Sequence, residues 1–117
     1  MTPQYQKMIQ QAYSSFNARD INAVLLLMHP DVLWPNGWEG GYVKGHEEVR
    51  DYWTRQWKEL DPHVDPIAFK ERPDGQIEVD VHQTVKDLQG KILFDGMVKH
   101  IYVLENGLIK SMEIEKP

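Results

Sequence analysis

Three turn signals divide the second half of the chain into segments of strand length, and they constrain the fold more than any other feature. They are Pro73-Asp74-Gly75, the stretch 87–90 and Asn106-Gly107. An Asn-Gly pair between apolar runs is a strong signal for a tight hairpin. The segments so defined are 64–72, 76–86, 91–104 and 108–115. The pattern predicts three successive hairpins and an antiparallel sheet of four strands, with a bend in the third strand at Gly96.

The segment 76–86 alternates in the manner of a strand with one buried face. The predicted buried face carries Ile77, Val79, Val81 and Val85. The other face carries Glu78, Asp80, His82 and Thr84, which we interpret as partly solvated.

The first half of the chain is predicted to be helical. Apolar residues recur at helical spacing over 5–16, with Thr2 as a cap and Pro3 at the first helical position. Asp20 is a cap for a second helix over 21–28, apolar on nearly all sides and ended by Pro30. A short extended segment follows at 31–35.

Four glycines predict a loop over 36–45, and a third helix is expected over 46–60, stopped by Asp61-Pro62. Helices followed by an antiparallel meander imply an α+β fold with the helices packed on one sheet face. The short strand at 31–35 is expected at the edge of that sheet. A chain of 117 residues has room for one domain, over 1–117.

Composition excludes several classes of function. Acidic residues outnumber basic ones, 18 to 13, so the chain lacks the positive charge that binds nucleic acid. Cysteine is absent, which removes thiol nucleophiles and thiolate metal sites. The first residues have no apolar core like that of a signal sequence, and the longest apolar run, 23–28, is too short for a membrane span. We expect a cytoplasmic protein with no membrane partner. No phosphate cradle or nucleotide fingerprint is present, so no cofactor is expected.

The order of these elements resembles the NTF2-like superfamily, which includes the SnoaL-like proteins and the ketosteroid isomerases. The resemblance lies in 12–21, in Asp31-Val32-Leu33-Trp34, in 45–53, in His100 and in Asn106-Gly107-Leu108-Ile109. It implies a cone in which three N-terminal helices pack in a curved antiparallel sheet and leave a pocket open at one end. It also implies a homodimer formed sheet to sheet, for which Ile101 and Val103 are candidate outer-face residues.

The resemblance also implies candidate catalytic residues. Isomerase relatives carry an Asp base just after the first strand, where this chain has Asn36, and an amide does not accept a proton at neutral pH. Asn36 is therefore predicted to orient a carbonyl or hydroxyl group. Glu39 is an alternative base if its loop folds inward, and otherwise a solvated carboxylate. His100 falls where relatives have an acid, and is either a pocket hydrogen-bonding or catalytic group or a structural histidine.

Other candidates are predicted to bind ligand. Tyr13 lies one position from a Tyr that relatives use, and reaches either the pocket or the core. His82 lies two residues after Asp80, but a metal site usually needs three or four converging ligands, so no metal is expected. The four tryptophans, Trp34, Trp38, Trp53 and Trp57, fall in one stretch of the chain. Trp53 and Trp57 have core spacing, whereas Trp38 lies among glycines and suits the rim of a pocket for a planar ligand. Met112 completes the predicted lining.

Two functions remain open on the sequence. One is a SnoaL-like protein that binds a small apolar or aromatic molecule, with isomerase, cyclase or dehydratase-like proton transfer at His100. The other is a non-catalytic ligand-binding or protein-interaction domain, which the amide at Asn36 favours.

Overall fold

The computed structural model describes residues 4–115, which form three helices and a curved sheet of six strands. The helices are α1 (Gln4–Asn17), α2 (Ile21–Leu25) and α3 (Gly45–Gln56). The strands are β1 (Met28–Pro35), β2 (Tyr42–Lys44), β3 (Leu60–Glu71), β4 (Ile77–Asp87), β5 (Ile92–Glu105) and β6 (Leu108–Glu115). The strand order is β2-β1-β6-β5-β4-β3.

Helix α1 forms as its periodicity predicts, with Ile9, Ala12 and Tyr13 buried against the sheet. Its end is fastened to β3 by one side chain. The Asn17 amide donates to the carbonyl oxygen of Val64 at 2.7 Å and accepts from the Val64 N–H at 3.0 Å. The predicted caps Thr2 and Pro3 lie outside the described residues.

Helix α2 is shorter than the predicted 21–28. Asp20 caps it as expected, accepting from the N–H of Ala23 at 3.2 Å. The helix ends at Leu25, and Leu26 is 79% exposed, so the prediction of burial on nearly all sides was wrong. The reason is strand pairing, because Met28 already lies opposite Ile109 in β6 and β1 has begun.

Strand β1 is longer than the predicted 31–35 and lies inside the sheet rather than at its edge. It runs parallel to β6 on one side and antiparallel to β2 on the other. Strand β2 falls within the stretch 36–45 that was predicted to be a loop throughout. Pro30 lies in β1, so it does not end a helix.

Helix α3 also ends earlier than the predicted residue 60. Glu48 accepts from the backbone N–H of Lys44 at 2.8 Å and so stabilises its first turn. The helix stops at Gln56, and Asp61-Pro62, predicted as its stop signal, lie in β3. Pairing of Leu60 with Asp87 in β4 replaces the last predicted helical turn.

The three predicted hairpins are confirmed, joining β3, β4, β5 and β6 in antiparallel order. Asn106 and Gly107 both have positive φ, 53° and 77°, the conformation that a two-residue hairpin turn requires. The sheet has six strands rather than the four hairpin-linked strands and one edge strand that were predicted, because β2 pairs with β1 and extends the sheet further.

The core lies between the helices and the concave face of the sheet. Ile77, Val79 and Val81 of β4 are buried there, as the alternation predicts, whereas Val85 is half-buried. Ile101, a candidate outer-face residue, is only 4% exposed within the single chain, and Val103 is 37% exposed. Ile101 therefore offers little free surface to a second subunit. Among residues 4–115, no helix has both the length and the apolar character needed to cross a membrane.

Candidate functional site

A cavity of about 850 Å³ opens between the concave face of the sheet and the helices α1 and α3. Helix α1 contributes Ala12, Tyr13 and Phe16 to its wall, and the inner face of β5 contributes Val98, His100 and Tyr102. The loop 36–41, called here the Asn36 loop, forms another part of the wall. The cavity is thus bounded by both halves of the chain and is large enough for a small organic ligand.

One wall of the cavity is aromatic. Trp34 and Trp53 meet edge to face, with ring centroids 5.7 Å apart, and both line the cavity. Trp38 lines it from the Asn36 loop, and Met112 lines it from β6. Trp57 does not line it and instead stacks behind Trp53 at 5.9 Å. Flat, weakly polar surfaces of this kind favour a planar apolar ligand.

Two tyrosines and a histidine form a hydrogen-bonded chain in the cavity wall. The hydroxyl of Tyr102 donates to the hydroxyl of Tyr13 at 2.8 Å, and the Tyr13 hydroxyl lies 2.7 Å from Nδ1 of His100. His100 and Tyr102 share the inner face of β5 because they are two residues apart. Helix α1 brings Tyr13 to them.

Burial keeps all three groups neutral. Desolvation lowers the pKa of His100 to about 4. The pKa of Tyr13 is raised well above its usual range, first by burial and then by the neighbouring Tyr102. Burial likewise raises the pKa of Tyr102.

The direction of these bonds sets the tautomer of the imidazole. Because Tyr102 donates to Tyr13, the Tyr13 proton can be donated to Nδ1, and in that tautomer the ring carries its own proton on Nε2. Nε2 has no hydrogen-bond partner among residues 4–115. In that tautomer the site offers an N–H donor on an uncharged ring to an acceptor such as a carbonyl oxygen.

Asn36 is 93% shielded from solvent, and its amide organises its own loop. Its Oδ1 accepts from the backbone N–H groups of Trp38 and Glu39, at 3.1 and 2.7 Å. Its Nδ2 donates to the Glu39 carboxylate at 3.0 Å. Asn36 lines the cavity, but its acceptor oxygen is occupied by the loop backbone.

Glu39 does not line the cavity. Nη1 of Arg55 lies 2.8 and 2.7 Å from its two carboxylate oxygens. The hydrogen bonds from Arg55, and then that from Asn36, lower the pKa of Glu39. A carboxylate held in this way is a poor proton acceptor, so its placement does not favour the predicted role as a base.

His82 lies on the opposite face of the sheet from His100. Its Nε2 is 2.6 Å from Oδ1 of Asp95, and neither residue lines the cavity. His82, His100 and Asn36 therefore do not converge on one point. No three His, Asp or Glu side chains in the described part of the chain come together as metal ligands.

The cavity thus brings together seven of the ten predicted site residues. These are Tyr13, Trp34, Asn36, Trp38, Trp53, His100 and Met112. Tyr102, Tyr52 and Gln56 also line it and were not predicted. Strand parity with His100 was an available signal for Tyr102. Tyr52 and Gln56 fall within the predicted third helix, where helical spacing does not separate residues of the cavity wall from those of the core.

The chain resembles known proteins both in sequence and in three-dimensional structure. The family model of the SnoaL-like domain matches residues 9–112. No curated protein matches the chain in sequence.

Solved structures of the same shape include an NTF2-like protein of unknown function from Burkholderia pseudomallei. It has 23% identity and a TM-score of 0.84, over 99% of this chain and 92% of that one. TerC, co-crystallised with polyporic acid, has 27% identity and a TM-score of 0.82, over 97% and 91% of the two chains. A putative polyketide cyclase from Sinorhizobium meliloti has 16% identity and a TM-score of 0.77, over 97% and 95%.

Proposed function

Since the chain belongs to the SnoaL-like domain family, within the NTF2-like superfamily, we propose that it binds a small, largely apolar aromatic molecule in its cavity. The observation that carries the proposal is the combination of an aromatic wall with one neutral polar chain. Trp34, Trp38 and Trp53 supply flat surfaces, and His100 supplies one neutral ring nitrogen for a hydrogen bond. Sites for small molecules commonly have this composition, in which apolar walls give affinity and few polar groups fix orientation.

The charge of the cavity supports a neutral ligand group at His100. Among the described residues that line the cavity, Glu113 is the one acidic side chain, and it accepts from the Tyr42 hydroxyl at 2.6 Å. No Lys or Arg side chain is found in that lining. A ligand carbonyl placed at Nε2 of His100 would gain a hydrogen bond without bringing a net charge into a low-dielectric site.

The co-crystal of TerC with polyporic acid supplies a first ligand to test. Tryptophan fluorescence, followed during titration with polyporic acid and a panel of planar aromatic carbonyl compounds, reports binding at the aromatic wall. We expect saturable quenching that is weakened in Trp38→Ala and in His100→Ala and retained in His82→Ala, which alters only the outer face. An absence of quenching across the panel would contradict the proposal and favour a protein-interaction domain.

Proton-transfer chemistry is a second candidate, favoured by the neutral Tyr102–Tyr13–His100 chain. A donor on an uncharged ring can stabilise an enolate-like oxygen as charge develops on it, as isomerisation, cyclisation or dehydration would require. Incubation of any ligand found, followed by NMR and mass spectrometry, separates turnover from binding. Comparable turnover in His100→Ala would remove His100 from the mechanism.

We also propose that residues 1–117 act as one cytoplasmic domain and pair as a homodimer through the outer face of the sheet. Val103 is the exposed apolar residue of the predicted pair on that face. Sedimentation velocity of the protein and of Val103→Lys tests the pairing. A monomer at all concentrations, or an unchanged dimer in the variant, would place the interface elsewhere or remove it.

A further inference from the structure

The tip of the Asn36 loop, at Gly40 and Gly41, has few packing contacts to hold it in shape. Gly40 and Gly41 have positive φ, 90° and 74°, and a Cβ added at either would meet nothing within 4 Å. The loop is closed on itself by the N–H of Asn36, which donates to the carbonyl oxygen of Gly41 at 2.9 Å. The conformation of this tip therefore depends on hydrogen bonds more than on side-chain packing.

A continuous chain of such bonds leads from α3 into the loop. Arg55, in the last turn of α3, holds both carboxylate oxygens of Glu39. Glu39 in turn accepts from the amide of Asn36, and the oxygen of that amide accepts from the backbone N–H of Trp38. Among the residues joined by these hydrogen bonds, Trp38 is the one whose side chain suits the wall of a pocket for a planar ligand.

We propose that Arg55 is a positioning residue for the cavity, which acts through Glu39 and Asn36 to fix the Trp38 wall. The effect on ligand affinity rests on the proposed function, whereas the effect on the loop does not. Glu39 on this account supports the wall and takes no proton from a ligand.

The strength of the Arg55–Glu39 contact sets the size of the effect. Both side chains are nearly half exposed. The ion pair therefore shifts the equilibrium between the described loop conformation and other conformations by at most a factor of about five. Exposed ion pairs are screened by salt, so raising the ionic strength should loosen the loop even when the ligand is uncharged.

The chain offers a matched control for the carboxylate. Asp51 accepts from Nε of Arg55 at 2.9 Å, one turn earlier on α3. It makes no hydrogen bond to the Asn36 loop. Glu39→Ala and Asp51→Ala each remove one acidic partner of the same guanidinium, but only Glu39→Ala breaks the path to Trp38.

The test uses fluorine NMR of protein labelled with 5-fluorotryptophan, without ligand. The Trp38 resonance is assigned by its loss in Trp38→Phe. We expect this resonance to shift or broaden in Glu39→Ala and in Arg55→Ala, and to stay in place in Asp51→Ala. A Trp38 resonance that is the same in Arg55→Ala or in Glu39→Ala as in the parent protein would overturn the proposal, as would an equal change in Asp51→Ala.

The ligand measurement is kept separate from the loop measurement. With polyporic acid, or whichever compound of the panel binds, we expect affinity to fall up to about fivefold in Glu39→Ala and to be retained in Asp51→Ala. If no compound binds the parent protein, the proposed function fails while the fluorine spectra still decide the role of Arg55. Binding that is equally tight in Glu39→Ala, with an unmoved Trp38 resonance, would refute the positioning role and leave the proposed function standing.

Discussion

The buried His100 should make the stability of the protein depend on pH. Its pKa is lowered to about 4 in the folded protein, against about 6.5 for an unfolded histidine. Between these values the unfolded chain binds a proton that the folded protein does not. Stability from this group is therefore fully present above the unfolded pKa and is lost as the pH falls toward 4.

The size of the loss follows from the two pKa values. At about 1.36 kcal/mol per pH unit of pKa difference, the limiting loss is about 3 kcal/mol. About 2 kcal/mol of it falls between pH 7 and pH 5, before most carboxylates titrate. For a domain of this size that is a sizeable fraction of the total free energy of unfolding.

Urea unfolding at pH 7 and pH 5, followed by tryptophan fluorescence at fixed protein concentration, measures the loss. The comparison is between the parent protein and His100→Asn, whose amide oxygen can still accept from the Tyr13 hydroxyl but does not titrate. We expect the free energy of unfolding to fall by about 2 kcal/mol more in the parent than in the variant. His63→Asn, an exposed change on β3, should keep the parental difference. If His100→Asn loses as much stability as the parent, the histidine is not buried as a neutral ring and the reasoning fails.

Three further changes test individual contacts. Tyr13→Phe removes the hydroxyl at the centre of the buried hydrogen-bonded chain and should cost about 1–3 kcal/mol in urea unfolding, whereas Tyr5→Phe should be near neutral; equal costs would contradict the structure. Asn17→Ala removes both bonds to the backbone of Val64 and should lower the free energy of unfolding by about 1–2 kcal/mol; an unchanged thermal midpoint would mean that these bonds are dispensable. Gly107→Ala places a Cβ at a φ of 77° and should cost about 1–2 kcal/mol, unless calorimetry shows that the hairpin relaxes to another turn.

The hairpins of the second half were predictable because their signals are local. Asn106-Gly107 specifies a turn from two adjacent residues, and the pairs nearest the turn, Glu105 with Leu108 and Leu104 with Ile109, follow from it. The limits of α2 and α3 were not predictable in this way. Residues 26–28 and 60 have apolar character that suits a helix, and their actual strand partners, Ile109 and Asp87, lie far along the chain.

For the candidate site too, residues with local sequence signals could be predicted and residues that depend on distant partners could not. The family resemblance predicted His100 on the inner face, and strand parity put His82 with Asp80 on the partly solvated face. The orientation of the loop residues could not be predicted from the sequence, because the position of the Glu39 carboxylate depends on Arg55, which contacts it from helix α3. Sequence patterns identify which side chains share a face of a strand. The partner of a loop carboxylate can be identified only from the three-dimensional structure.

The parallel pairing of β1 with β6 has a consequence for how the protein forms. Met28 and Ile109 are partners although about eighty residues separate them, and β1 is the link between β2 and the rest of the sheet. Contacts between such distant segments must overcome a large loop-closure entropy, which slows folding. A nascent chain can build the β3–β4–β5 meander early. It cannot bring the ring of Trp34 to its 6.3 Å centroid distance from Tyr102 until β6, which lies between β1 and β5, has been synthesised. The aromatic wall of the cavity is therefore completed late in folding, and substitutions that weaken β6 should lower the yield of folded protein before they alter the cavity.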